Sequence, residues 1–340
     1  MKALVYKGPR EIDVEEVALP RILPGHVLIR VKMSGICGSD VHGYMGLTGR
    51  RCPGVIMGHE FSGIVERTAD DVSSVRAGQR VVVQPTVYCG TCGYCRWGYT
   101  QRCPNKTFLG VFDVNGGFAE FASVPAKLVL PLPDDMSFEE GALIEPLAVS
   151  RCGVDKISDY SGKTVLVVGA GTIGLLAIAV LKARGARMII AADLSKNRLS
   201  IARKMGAHAV FCPQETDAVQ MIQKLTGEVG ADVSVEAVGA AKPVEVAIGC
   251  LKPGGHCVWV GNSEKIIPLD MQSVVTREIT IHGTYIYSHA DFAATLAGYA
   301  DMKIDAGTVI SRTMTLEQAP LVIEELASGS DRLVKTMISF

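Results

Sequence analysis

Four of the chain's ten cysteines fall within CGTCGYCRWGYTQRC, where Cys89, Cys92, Cys95 and Cys103 have the spacing C-x2-C-x2-C-x7-C. Small and turn-forming residues between the first three let the chain curl around one ion, and the fourth thiolate closes a tetrahedron. Four sulfur ligands leave no open position, so such a centre clasps a loop and does not act on a substrate. An iron–sulfur cluster would use the same four residues; zinc better suits a segment with no other redox feature. A nucleic-acid-binding zinc module is opposed by the scatter of Arg96, Arg102 and Lys106 and by the lack of a basic helix after them.

A second set offers different chemistry. Cys37 in GICGSDVH and His59 in GHEFSG supply a sulfur and a nitrogen, and Glu60 or Glu145 (in GALIEPLAVS) can supply an oxygen. Three protein ligands plus a position open to water or substrate is the arrangement of a catalytic zinc. Each fragment alone is weak, because a single cysteine is usually a small core residue.

A third set implies a nucleotide. TVLVV runs into Gly169-Ala-Gly171-Thr-Ile173-Gly174 and then into an apolar helix-forming stretch, the strand-turn-helix context a G-x-G-x-x-G fingerprint requires. The first glycine permits the tight turn, the second lets pyrophosphate approach the backbone, and the third packs helix on strand. The next strand-like run ends at Asp193, about 20 residues on, where a carboxylate accepts from a ribose 2′-hydroxyl and repels a 2′-phosphate. NAD is therefore expected over NADP.

These residues need elements to hold them. Up to about residue 150 the chain reads as short alternating strands broken by Gly and Pro, such as VLIRVKM, FSGIVERT and RVVVQPT. From about Lys163, strand and helix alternate, which implies a parallel sheet covered by helices on both faces. The last strand-like run, LVKTMISF, is placed to return to the first domain. The expected domains are 1–150, completed by 286–340, and 151–285. The uncharged stretch from Thr164 to Leu181 approaches the length of a membrane span, but its glycines split it into strand, turn and helix. With 34 Lys and Arg against 35 Asp and Glu, there is no basic footprint for nucleic acid. No signal-like or membrane segment is found, so the cytoplasm is expected, a reducing compartment in which clustered cysteines bind metal.

ICGSDVH, GHEFSGIV and the cysteine lobe, in that order and followed by the fingerprint, resemble the zinc-dependent medium-chain alcohol dehydrogenases over essentially the whole chain. GALIEPLAV is most similar to their polyol dehydrogenase branch. The resemblance implies an α/β protein with a doubly wound Rossmann sheet and a mainly β, GroES-like catalytic domain bearing a structural zinc lobe. It also implies two zinc ions per subunit, NAD, a small alcohol, polyol or sugar-alcohol phosphate as substrate, and a homodimer or homotetramer. Cys37, His59 and Glu60 become catalytic zinc ligands, Glu145 a close or exchanging group, and Asp40 the residue orienting His59. Ser39 and His42 match the proton relay. Arg198, Val260, Gly261, Asn262, Thr284, Tyr285 and Ile286 match cofactor-contacting positions, and Tyr287 a substrate position. Many sorbitol-type relatives carry a tyrosine where this chain has Gly43 and an arginine where it has Ile286, so sorbitol itself is disfavoured. Arg50 and Arg51 could bind an anionic substrate, although loop arginines are more often solvated. The alternatives are a threonine- or butanediol-type dehydrogenase and, from another class, a nucleotide-sensing zinc protein without turnover.

Overall fold

The computed structural model describes residues 1–340, which form two compact units. The first comprises Met1–Glu145, Tyr287–Leu296 and Ile310–Phe340; the second comprises Pro146–Ile286 and Ala297–Val309. The expected first domain includes all of 286–340. Instead, residues 297–309 leave it, because the turn at Ala300–Met302 packs on a Rossmann helix, α4 below, and Met302 and Val309 are buried there.

In the first unit the strands are β1 (Lys2–Gly8), β2 (Glu11–Glu16), β3 (His26–Ile36), β4 (Glu60–Thr68), β5 (Arg80–Val83), β6 (Thr86–Val87), β7 (Thr107–Phe108), β8 (Phe121–Pro125) and β9 (Val129–Pro131). The first helices are α1 (Gly38–Tyr44), α2 (Gly93–Arg96) and α3 (Phe138–Val154), and the boundary between units falls inside α3, at Pro146. β3 is the spine: along it every second residue, Val27, Ile29 and Val31, joins Phe61, Val65, Val81 and Val83 in one core. These alternating core positions are the ones VLIRVKM signals in the sequence, while Leu28, between two of them, is buried as well.

The second unit contains β10 (Thr164–Val168), α4 (Thr172–Ala183), β11 (Met188–Ala192), α5 (Lys196–Met205), β12 (Ala209–Phe211), α6 (Ala218–Thr226), β13 (Ala231–Glu236), α7 (Ala241–Gly249), β14 (Leu251–Trp259), α8 (Met271–Thr276) and β15 (Thr280–Gly283). Its six strands lie in the order β12-β11-β10-β13-β14-β15, every neighbouring pair parallel. β10 is buried along its whole length and α4 from Gly174 to Leu181, which explains the uncharged run. No helix is long and apolar enough to cross a membrane.

After α9 (His289–Ala297) and α10 (Ala306–Val309), the chain closes the first unit with β16 (Ile310–Thr315), α11 (Ala319–Ala327) and β17 (Lys335–Ser339). β17 pairs antiparallel with β3, Thr336 opposite Ile36, inside the seven-stranded sheet. The run LVKTMISF thus returns to the first unit as its pattern suggests.

Candidate active site and nucleotide site

Cys37 ends β3 and caps α1. Its thiol accepts from Ser39 N at 3.5 Å, and its own N–H donates to Asp40 Oδ2 at 3.1 Å, a reciprocal box that fixes both residues. His59 and Glu60 enter from the start of β4, where Glu60 stands opposite Gly35 of β3. A Cβ at Gly35 would fall on Glu60 Oε2, so only glycine admits the carboxylate there. The Cys37 sulfur, a His59 nitrogen and a Glu60 oxygen lie within 4.8 Å of one another, a donor set and spacing that fit a zinc ion.

Around these three the structure places Lys335, which the sequence did not reveal, and Asp40, which the resemblance sets beside His59. Lys335, buried at the start of β17, donates from Nζ to Glu60 Oε1 at 2.9 Å, Glu60 Oε2 at 2.6 Å and the Ile36 carbonyl at 2.9 Å. Asp40 is fully buried, and its Oδ1 lies 3.1 Å from Arg51 Nη2 and 3.4 Å from His59 Nδ1. The His59 contact is within ion-pair reach but lacks hydrogen-bond geometry. Burial opposes the Asp40 charge, yet His59, Arg51 and the Cys37 N–H outweigh it and hold the carboxyl down at about 2. Arg51 therefore is not a solvated loop cation: its side chain is 3% exposed and committed to Asp40.

Glu145, buried in α3, accepts from Tyr287 Oη at 2.7 Å. Burial raises its carboxyl to about 7, with Glu60 adding to the shift while His59, Tyr287 and Lys335 oppose it. Tyr287 is itself buried against Phe292, so its hydroxyl is engaged with Glu145. Ser39 lies exposed near the start of α1 and His42 half-buried near its end.

The lobe cysteines gather as their spacing requires. Cys89, Cys92, Cys95 and Cys103 bring their sulfurs within 4.8 Å of one another, and none forms a disulfide. Cys89 Sγ is 3.5 Å from Cys103 Sγ and 3.9 Å from Cys95 Sγ. A zinc–sulfur bond of about 2.3 Å implies a tetrahedral edge of about 3.8 Å, so the quartet fits the ion.

In the second unit the fingerprint adopts its required geometry. Gly169 has φ +93°, the left-handed region, and a Cβ on Gly174 would fall on the Gly169 carbonyl oxygen. Gly171 is the N-cap of α4 and a Cβ there would meet nothing within 4 Å, so a pyrophosphate has room to approach the helix N-terminus. Ile173, in the first turn of α4, accepts from Ser150 Oγ at 2.9 Å. Asp193 accepts from Ala170 N at 2.7 Å and Ser195 N at 2.8 Å, tying the end of β11 to the glycine loop. Arg198 keeps a buried Nε with no partner, as an incomplete nucleotide pocket would. Val260 and Gly261 follow β14 and donate to the Glu236 carbonyl, at 2.9 and 3.0 Å, and Gly261 with Asn262 packs on Gly239. Thr284 N donates to Trp259 O at 3.1 Å, Tyr285 is 45% exposed, and Ile286 has φ +47°. Positive φ is rare for a β-branched residue and marks local strain.

A fingerprinted parallel sheet, joined in one chain to a β unit with a closed thiolate cluster and a mixed Cys/His/Glu cluster, defines a metal-dependent oxidoreductase that uses a dinucleotide. The chain belongs to the zinc-binding dehydrogenases: residues 172–301 match the family model of that description, and residues 23–134 match the alcohol dehydrogenase GroES-like domain. It is 34% identical to probable D-xylulose reductase A of Aspergillus fumigatus, over 99% of this chain and 96% of that protein. It is likewise 34% identical to sorbitol dehydrogenase of Bacillus subtilis, over 99% and 97%. Among solved structures it is similar to galactitol-1-phosphate dehydrogenase from Escherichia coli, with TM-score 0.93, 28% identity and full coverage of both chains. The expected fold class and oxidoreductase activity stand confirmed.

Proposed function

We propose that the protein oxidises a secondary alcohol of the polyol or sugar-alcohol class, free or phosphorylated, to a ketone, with hydride passed to NAD+. The observation that carries this reading is the gathering of Cys37, His59 and Glu60 around one point, with Glu145 and Ser39 in the same unit. The names of the relatives, which act on xylulose, sorbitol and galactitol 1-phosphate, support the substrate class.

When bound by these residues, zinc supplies a Lewis acid that makes a hydroxyl easier to deprotonate, and NAD+ supplies the hydride acceptor. The rest is done by side chains. Asp40 sets the His59 ring through Nδ1, which leaves the other ring nitrogen for the metal. Tyr287 pins Glu145 through a hydrogen bond of 2.7 Å, which fixes the carboxyl for its role as a close or exchanging group at the metal. Ser39 and His42, one helical turn apart on α1, form the relay that carries the substrate proton toward water. Asp193 receives the ribose hydroxyls and makes NAD the better cofactor. The lobe quartet holds a second, structural zinc.

Assembly as a homodimer or homotetramer is part of the same reading. It is supported by an unpaired sheet edge at β15 with exposed Ile266, Met271 and Val275 in the preceding segment. Ten free cysteines fit a reducing compartment such as the cytosol. The deciding experiment is NADH formation across polyols, sugar-alcohol phosphates, cyclitols, diols and L-threonine, with and without a zinc chelator. Chelator-sensitive turnover of one polyol class is expected. Turnover of L-threonine alone would overturn the substrate class, and silence from protein loaded with two zinc ions would overturn the activity.

A further inference from the structure

We propose that Arg51 is a positioning residue of the metal centre: its guanidinium, seated beside the helix α1 where Gly43 leaves room, braces Asp40 and through it His59 and Cys37. The inference rests on the reading of Cys37, His59 and Glu60 as zinc ligands and extends it to a residue that touches none of them.

The geometry is specific. Arg51 Nη2 donates to Asp40 Oδ1 at 3.1 Å and to the Ser39 carbonyl at 3.4 Å, and Nη1 donates to the Arg50 carbonyl at 3.4 Å. Asp40 is the one carboxylate that meets this buried charge, and its two oxygens also reach His59 Nδ1 and the Cys37 N–H. A single carboxylate thus links the backbone of one proposed ligand to the ring of another, and Arg51 decides where that carboxylate sits. An arginine used only for packing would bring an uncompensated desolvation cost, which a leucine or methionine of similar length avoids.

Gly43 completes the arrangement. A Cβ there would stand 2.9 Å from Arg51 Cγ, 3.2 Å from Nε and 3.3 Å from Cζ. The crowded atoms lie in the middle of the side chain, and its far end is held by three acceptors, so it cannot swing away. Gly43 and Arg51 are therefore one structural unit: the missing side chain at position 43 is the space the arginine fills. Arg51 is thereby withdrawn from solvent and from any direct contact with a substrate anion.

The test uses the zinc-loaded protein and a chromogenic chelator, with zinc release as the readout. The wild type is expected to release zinc in two phases, of which Cys37→Ser abolishes one. Arg51→Met is expected to speed that phase by about 10- to 100-fold, the scale of losses when a group supporting a ligand is removed, and to leave the lobe zinc unchanged. Arg51→Lys, a point charge within reach of Asp40, should recover part of the loss. Gly43→Ala should speed the same phase by itself, yet add nothing to Arg51→Ala, because the clash is then gone. If Arg51→Met does not fold, Arg51→Lys and Gly43→Ala carry the same comparison. Wild-type release from Arg51→Met, or equal acceleration of both phases, would overturn the role of Arg51 while the zinc reading stands. A wild type with no phase sensitive to Cys37→Ser would overturn the zinc reading itself, and this inference with it.

Discussion

Replacing Lys335 by methionine keeps the length of the side chain and removes its charge from a place where water cannot substitute. Lys335 and Glu60 have side chains only 2% and 1% exposed, and the ammonium bonds both carboxylate oxygens and the Ile36 carbonyl. Breaking such a pair from one side leaves a buried carboxylate alone, at about 3–5 kcal/mol. The orphaned carbonyl adds about 1 kcal/mol. The expected loss is thus about 4–6 kcal/mol in zinc-free protein, which would leave the first unit marginal. A zinc ion at Cys37, His59 and Glu60 replaces part of the missing positive charge, so the loss should shrink in zinc-loaded protein. Lys335→Met with Glu60→Gln should recover most of it in both states. Urea unfolding read by hydrogen exchange in peptides from β3, β4 and β17 follows the first unit by itself. A loss below about 1 kcal/mol in zinc-free protein, the scale of a surface pair, would refute the reasoning.

Three further outcomes are expected. Gly174→Ala should weaken NAD binding and lower the stability of the second unit by about 3 kcal/mol or more, since the added methyl meets backbone at Gly169 and nothing can yield; calorimetry with and without NAD checks this. Asp193→Ala should lose at least about tenfold in NAD affinity and narrow the preference over NADP, as measured by fluorescence titration of both cofactors. Glu236 is buried, and its carboxyl is raised by that burial despite the N–H groups of Val238 and Gly239. The folded state then binds more protons than the unfolded one above the ordinary glutamate range. Stability of the second unit should therefore fall as pH rises through that window, and Glu236→Gln should flatten the slope. A slope unchanged by the substitution would contradict this.

What the sequence displayed depended on how local the signal was. The glycine fingerprint, the cysteine spacing and the alternation of β3 are short-range patterns, and each occupies its expected place. Lys335 and Arg51 were illegible because their roles arise from long-range pairing. Lys335 acts through the register of β17 on β3, and Arg51 through a loop folded against α1. One signal could have pointed to Arg51: Gly43 inside the last turn of α1, where a residue with a side chain would serve the helix as well unless something needs the space. The assignment of 297–309 failed for a related reason, since nothing local distinguishes a short helix serving one unit from its neighbours serving the other.

The strand β17 also sets a schedule for synthesis. Ile36 and Glu60 emerge from the ribosome early, yet the ammonium that neutralises Glu60 belongs to residue 335. A nascent chain carries β3 and β4 with an unmatched carboxylate until residue 335 has been made, so the first unit lacks this pair before then. A message cut short before residue 335 would yield a complete fingerprint sheet attached to a sheet that never closes. Such a chain retains every proposed zinc ligand and still exposes the edge of β3 that β17 covers.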